Sequence, residues 1–178
     1  MRDIAARLLE WHAAGKDYAV ACLLGTGGFA PRPLGAALAV DADGTVVGSI
    51  GEGPMEAAIA ELCRESLRTG RSMRETVGTI QVFVQSVTEA NRDAVELVLR
   101  AEGEAVALVR DLDSGAVMAL GTWWTAGAEL DERVVIAAQS MLDAAASGVR
   151  TIGRGADAIT VFVQSQAARQ VFGMVAHV

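Results

Sequence analysis

The chain has 178 residues, 52% of them hydrophobic, with a mean hydropathy of +0.33, enough for one domain with a proper core and too apolar for a disordered chain. A formal charge of −7, a pI near 4.8 and a single lysine, Lys16, among 14 scattered arginines exclude a nucleic-acid binder, which needs clustered cations. No apolar run approaches the ~18–20 residues of a membrane helix, and Met1-Arg2-Asp3-Ile4 lacks a signal-peptide core, so the expected location is cytoplasmic. The apolar excess points to a surface covered by a second copy, hence a homodimer.

In chain order, residues 3–14 carry Ile4, Leu8, Leu9, Trp11 and His12 at helical spacing and stop at Gly15, which predicts an N-terminal helix. The apolar run 18–24 suits a strand buried on both faces. Ala36–Val40 and Thr45–Ile50 flank Asp41-Ala42-Asp43-Gly44, whose Asp-Gly predicts a hairpin. Pro54 opens a second helix, with Met55, Ile59, Leu62, Cys63 and Leu67 at spacings of three and four, and Gly70 ends it. A strand over 79–85 closes the unit, and a helix over about 89–101 serves as a spacer. The order then returns: strand 105–110, turn at Asp113-Ser114-Gly115, strand 116–121, helix 131–147 ending at Gly148, strand 158–164.

The return is also literal. Val82-Phe83-Val84-Gln85-Ser86 recurs as Val161-Phe162-Val163-Gln164-Ser165, and Ala19-Val20-Ala21 as Ala105-Val106-Ala107, at offsets of 79 and 86. Repeat one spans about 17–87 and repeat two about 104–166. Two β-β-(β)-α-β units predict an α/β fold, a single pseudo-twofold domain with a central mixed sheet and helices packed on it.

The first copy has a long Gly/Pro loop, Gly25-Thr26-Gly27-Gly28-Phe29-Ala30-Pro31-Arg32-Pro33-Leu34-Gly35, and a second turn, Ser49-Ile50-Gly51-Glu52-Gly53-Pro54-Met55-Glu56, both of which shrink in the second copy; any ligand site is therefore expected in the first half. Gly27, Gly28 and Gly35 would let backbone amides approach an anion, with Arg32, stiffened between Pro31 and Pro33, as a bidentate phosphate donor. The loop is neither a Walker nor a Rossmann motif, and a purely structural omega loop fits it as well. Gly53 and Glu56 stand at a helix N-terminus, where an anion is favoured or where the chain's own carboxylates serve as caps. Cys22 and Cys63 lie in apolar periodicity, as buried hydrophobes do, and His12 and His177 are too far apart to begin a metal cluster. No catalytic constellation and no metal site is predicted.

Ala30-Pro31-Arg32-Pro33-Leu34-Gly35-Ala36, Asp43-Gly44-Thr45-Val46-Val47-Gly48-Ser49-Ile50 and Gly78-Thr79-Ile80-Gln81-Val82-Phe83-Val84 resemble the N-terminal region of the XdhC/CoxI family of xanthine dehydrogenase accessory proteins, and the likeness extends to about Gln166. The resemblance implies a maturation factor that binds molybdenum cofactor, a molybdopterin with a phosphate tail, protects it while a cysteine desulfurase sulfurates it, and delivers it to a molybdenum hydroxylase. It also implies a Rossmann-like domain to follow, and Val171-Phe172-Gly173-Met174-Val175-Ala176 looks like its start, placing the boundary of the XdhC/CoxI-like domain at 1–168 with 169–178 beyond it. Two family cysteines are replaced, by Pro54 and Thr76, and a family glutamate by Gln85 and again by Gln164. Three readings follow: an accessory factor binding molybdenum cofactor or a related pterin, a cofactor-blind paralogue serving as an interaction or dimerisation module, and an enzyme on a nucleotide-like substrate.

Overall fold

The protein, seen as a computed structural model, is described over residues 1–28 and 32–166. A 3-10 turn, Arg2–Ile4, leads into helix α1, Ala5–Ala13. Strands β1 (Tyr18–Thr26), β2 (Ala37–Asp41) and β3 (Val46–Gly48) follow, then α2 (Pro54–Thr69), β4 (Met73–Val77) and β5 (Ile80–Val87). Helix α3 (Glu89–Arg100) opens the second half, with β6 (Val106–Asp111), β7 (Val117–Gly121), β8 (Thr125–Gly127), α4 (Glu132–Asp143), β9 (Gly148–Ile152) and β10 (Ile159–Gln166). Pro54 sits in the first turn of α2, where its missing N–H costs nothing, and Gly70 closes the helix at φ +69 with its amide on the Ser66 carbonyl.

The strands form two five-stranded sheets, ordered β3-β2-β1-β5-β4 and β8-β7-β6-β10-β9, so the duplication is real and the α/β class holds. The expected mixed sheet is instead two sheets, each antiparallel throughout. The reason lies in the connections: α2 and α4 carry the chain from one edge of their sheet to the other rather than between neighbouring strands, and a hairpin then returns it beside the first strand. The spacer helix is also reassigned, since α3 precedes β6 as α1 precedes β1, making each repeat α-β-β-β-α-β-β.

Strand pairing corrects the register of the duplication as well. Ala19 lies opposite Ser86 and Ala107 opposite Ser165, so Ala19 corresponds to Ala107, and the Ala-Val-Ala echo is a coincidence two residues out of step. In the true register Cys22, opposite Phe83, corresponds to Arg110, opposite Phe162.

Three apolar clusters build the layers. Between the sheets Tyr18, Val20, Cys22 and Phe83 face Val106, Leu108 and Phe162, with α1 (Leu8, Trp11) and α3 (Val95, Val98) filling the side. On its outer face the first sheet packs Ala21, Leu38, Val82 and Val84 against Ile59 and Cys63 of α2. The second sheet packs Val109, Leu120 and Val163 against Val134, Ala138 and Met141 of α4. At ~1.5–3 kcal/mol for each large aliphatic side chain fully buried, the central layer is what holds the halves together and the outer two hold each helix to its own sheet.

The repeats also grip each other through polar groups. Gln164 Nε2 donates to the Gly35 carbonyl of repeat one, and Gln85 Nε2 donates to the Gly115 carbonyl of repeat two at 2.6 Å. Both glycines have positive φ, +83 and +76, and a Cβ on either would press on a glutamine and a serine of the other repeat, Gln164 and Ser147 or Gln85 and Ser72. Lys16 is equally structural: its Nζ holds Asp41 Oδ2 at 2.9 Å and Asp43 Oδ2 at 2.7 Å, clamping the β2–β3 turn to the end of α1. Burial works to raise the Asp41 carboxyl, but the bonds from Lys16 and from the Thr45 and Asp43 amides outweigh it and hold the group below the ordinary carboxylate range.

Candidate functional site

In the corrected register, the β1–β2 connection of repeat one exceeds its counterpart, the short turn after β6, by eight residues, the difference between an offset of 88 at β1 and 80 at β2. Its base is pinched shut: Leu23 N–H donates to the Ala36 carbonyl at 2.9 Å and Gly35 N–H returns to the Leu23 carbonyl at 3.0 Å. Beside this pinch, between the repeats, lies a cleft of about 570 Å³, within the usual range for a small-molecule site. Its walls are the N-terminal Met1–Asp3, the loop residues Arg32–Ala36, Gly48 and Ser49 of the β3 end, and Ser147 with Gln164–Gln166 of repeat two.

The chemistry of those walls is that of hydrogen-bond donors. Arg32 is exposed in the loop. Ser165 Oγ and Gln166 Nε2 are shielded from solvent and have no hydrogen-bond partner among the described residues; such groups are costly unless something meets them. Behind the wall Arg110, 3% exposed, donates to Gln164 Oε1 at 2.9 Å and reaches Met1 Sδ at 4.0 Å. No carboxylate pairs with its guanidinium among the described residues, so a buried positive charge backs the cleft.

The residues singled out in the sequence are dispersed over this landscape. Arg32 and Gly35 line the cleft, but the Gly35 amide and carbonyl are already engaged by Leu23 and Gln164. Gly27 and Gly28 lie away from it: the Gly27 amide donates to the Thr79 carbonyl at 2.7 Å, and the Gly28 carbonyl accepts from Thr26 Oγ1 at 2.8 Å. Gly27 instead borders a smaller groove of about 350 Å³ with Thr76 and Gly78. Gly53, at φ +53, turns the chain into α2, and Glu56 accepts from Ser49 Oγ at 3.1 Å, so it steadies the β3 end of the cleft from behind. Pro31 lies outside the described residues, as do 169–178 with the expected Rossmann start.

Sequence reasoning placed the site in the first half alone, whereas the cleft takes Ser147, Gln164, Ser165 and Gln166 from the second. One signal pointed there: Gln164-Ser165-Gln166 puts polar side chains at the end of an otherwise apolar strand, where period-two alternation calls for buried residues.

Sulfur offers nothing to this cleft beyond Met1. Cys22 and Cys63 are 1% and 0% exposed, and burial pushes the Cys63 thiol up to about 12, so it stays protonated. Pro54 and Thr76, at the family's cysteine positions, do not line the cleft, and no cluster of three potential metal ligands exists among the described residues. The donor set thus suits an anion and a polar ring, and the described lining offers no thiolate or imidazole to ligate a metal.

Among the described residues no helix is long and apolar enough to cross a membrane. No curated protein matches the sequence. A crystal structure described as a xanthine dehydrogenase from Bacillus halodurans has the same fold, with a TM-score of 0.60 at 17% identity over 74% of this chain, a share too large for one repeat alone. This chain spans 46% of that protein's length. The family model described as the XdhC and CoxI family matches residues 11–78, which hold β1, the glycine loop, the hairpin and α2. Residues 11–78 are therefore similar to the XdhC and CoxI family, and they lie in the first of two structural repeats.

Proposed function

We propose that the chain is an accessory factor of a molybdenum hydroxylase of the xanthine dehydrogenase type, holding molybdenum cofactor or a related pterin in the inter-repeat cleft before it passes to the hydroxylase. The observation that carries this reading is the cleft's donor set: Arg32 at the mouth, and two solvent-shielded donors, Ser165 Oγ and Gln166 Nε2, with no hydrogen-bond partner among the described residues. Arg32 lies in the segment that matches the family model. When bound, the cofactor brings the metal and its sulfur chemistry. This chain's residues bind and shield it: Arg32 takes the phosphate as a two-pronged donor, and the walls from both repeats exclude water. A cysteine desulfurase is the further partner, the location is cytoplasmic, the role is to carry rather than to catalyse, and the working form is a homodimer.

Expressing the chain in a host that makes molybdopterin should yield protein carrying pterin fluorescence and scattering light at about twice 18.5 kDa. Arg32→Ala should weaken pterin binding by about 1.5–3 kcal/mol, the scale of a hydrogen bond to a charged group, and Arg32→Lys should restore it only in part, because the fork is lost. A parent protein free of pterin and molybdenum would sink the cofactor reading. It would favour the interaction module, for which Trp123, 93% exposed beside the half-buried Trp124, is the anchor a partner would seize.

A further inference from the structure

We propose that the β7–β8 turn of repeat two is a docking site for an exposed arginine of another protein, whose guanidinium stacks on Trp123 and pairs with Glu104. The site is independent of what the inter-repeat cleft holds, since neither residue lines that cleft.

One corner of the molecule differs between the repeats in its charges. In repeat one the turn between β2 and β3 already holds a cation: Lys16, two residues ahead of Tyr18, spans Asp41 Oδ2 and Asp43 Oδ2, and Asp41 lies opposite Tyr18. In the corrected register Tyr18 corresponds to Val106, which lies opposite Gly121, so Lys16 corresponds to Glu104 and Asp41 to Gly121. A carboxylate thus stands where the ammonium was, and the turn carries two tryptophans in place of its aspartates.

The Trp124 indole covers Gly121, where any Cβ would strike its Nε1 and Cε2, and the Gly121 amide donates to the Trp124 carbonyl at 2.8 Å. The turn is therefore fixed at Trp124 and presents Trp123 outward, 93% exposed. Glu104 belongs to two grooves that meet at Trp124. One, of about 330 Å³, is completed by Ala105, Thr122 and Trp123, and the other, of about 440 Å³, by Leu97, Arg100, Ala101 and Glu102. Arg100, the one cation in these linings, is bonded to Glu96 Oε1 at 2.6 Å.

Charge complementarity decides the occupant. A carboxylate beside an open indole matches a planar guanidinium better than an ammonium, because the fork meets the oxygens while the plane stacks on the ring. The apolar Leu97 and Ala101 of the adjoining groove suit an aliphatic neighbour of that arginine. A second copy is a poor source, since two chains of formal charge −7 repel and the arginines of this one are scattered. A basic surface on a different protein meets the patch with attraction.

The test is two-dimensional NMR of the indole N–H signals of the full chain, titrated with the peptide acetyl-Gly-Arg-Leu-Gly-amide and with the same peptide carrying citrulline, the neutral isostere of arginine. The Trp123 and Trp124 signals should move with the arginine peptide while Trp11, 5% exposed, stays still. The citrulline peptide should bind about tenfold more weakly, the combined effect of an exposed cation–π contact and an exposed ion pair. Glu104→Lys, which restores the cation of repeat one, and Trp123→Ala should each abolish the response of Trp124 with an unchanged melting temperature, both side chains being exposed. Equal binding of the two peptides, no shift with either, or undiminished binding by Glu104→Lys overturns the proposal. Trp123 and Trp124 shifts that appear on concentrating the protein alone assign the patch to a second copy and overturn it as well.

Discussion

Gln164 is the residue on which most of the inter-repeat geometry converges. Its amide nitrogen holds the base of the glycine loop at the Gly35 carbonyl, and its oxygen accepts from Arg110 at 2.9 Å and from Cys22 Sγ at 3.7 Å. Its repeat-one counterpart Gln85 makes the same donation to Gly115, with no arginine on its oxygen among the bonds described. The two are therefore expected to differ on truncation. Gln85→Leu should cost about 1 kcal/mol, a neutral hydrogen bond, and Gln164→Leu about 2–3 kcal/mol, because a buried guanidinium loses its acceptor. Urea unfolding of the two variants checks the order, and equal costs would refute the role given to Arg110. The sequence carried half of this. It displayed the duplicated glutamine, but the Ala-Val-Ala echo, two residues out of step, set Arg110 against Leu24. In the corrected register Arg110 is the counterpart of Cys22, a cation where the other copy has a thiol.

At the scale of elements, the parts legible in the sequence were those with a strong apolar period or a sharp terminator: α1, β1, the β2–β3 hairpin, α2 and β5, and in the second half α3, β6, β7, α4 and β10. Three strands escaped. β4, Met73–Val77, is an edge strand with Arg74, Glu75 and Thr76 exposed, so the alternation that marks a half-buried strand is missing. β9 is its copy with the same defect, and β8 is three residues long. Helix α4 ends at Asp143 rather than running through 147, although Ala144-Ala145-Ala146 favours helix, because the chain must turn back to pair β9; Ala145 takes φ +51 to do so. The helix taken for a spacer is instead the partner of α1, and one contact between them is titratable. Arg92 of α3 places Nη1 3.3 Å from His12 Nδ1 and Nη2 on the Lys16 carbonyl at 3.3 Å. Burial, and after it the Arg92 charge, hold His12 below the ordinary imidazole value of 6.5, against a smaller pull from Glu96. The folded protein thus binds this proton less readily than the unfolded chain does, so the neutral ring's contribution is complete above pH 6.5 and is lost as pH falls toward the depressed value. Denaturant midpoints should decline below pH 6.5, and His12→Gln should flatten that slope; an unchanged slope in the variant would remove His12 from the account.

Across the whole molecule, the glycine loop is an addition to a symmetric frame. The frame places two like connections at like positions, one after β1 and one after β6, and each is closed by a glutamine and a serine from the opposite repeat. Only the first is long, so the cleft arises where a duplicated scaffold departs from its own symmetry, and its walls come from both copies. The central cluster draws on both sheets and on both leading helices, which leaves neither repeat an apolar face it can cover alone. Half of this chain is accordingly not a smaller protein. Peptides 1–87 and 88–166, produced separately, should each lack the dispersed amide spectrum of a packed core, and on mixing should recover it together at a one-to-one ratio. The polypeptide link at Thr88, between β5 and α3, would then be a convenience of stoichiometry, and the two halves would behave as obligate partners that happen to share a single chain.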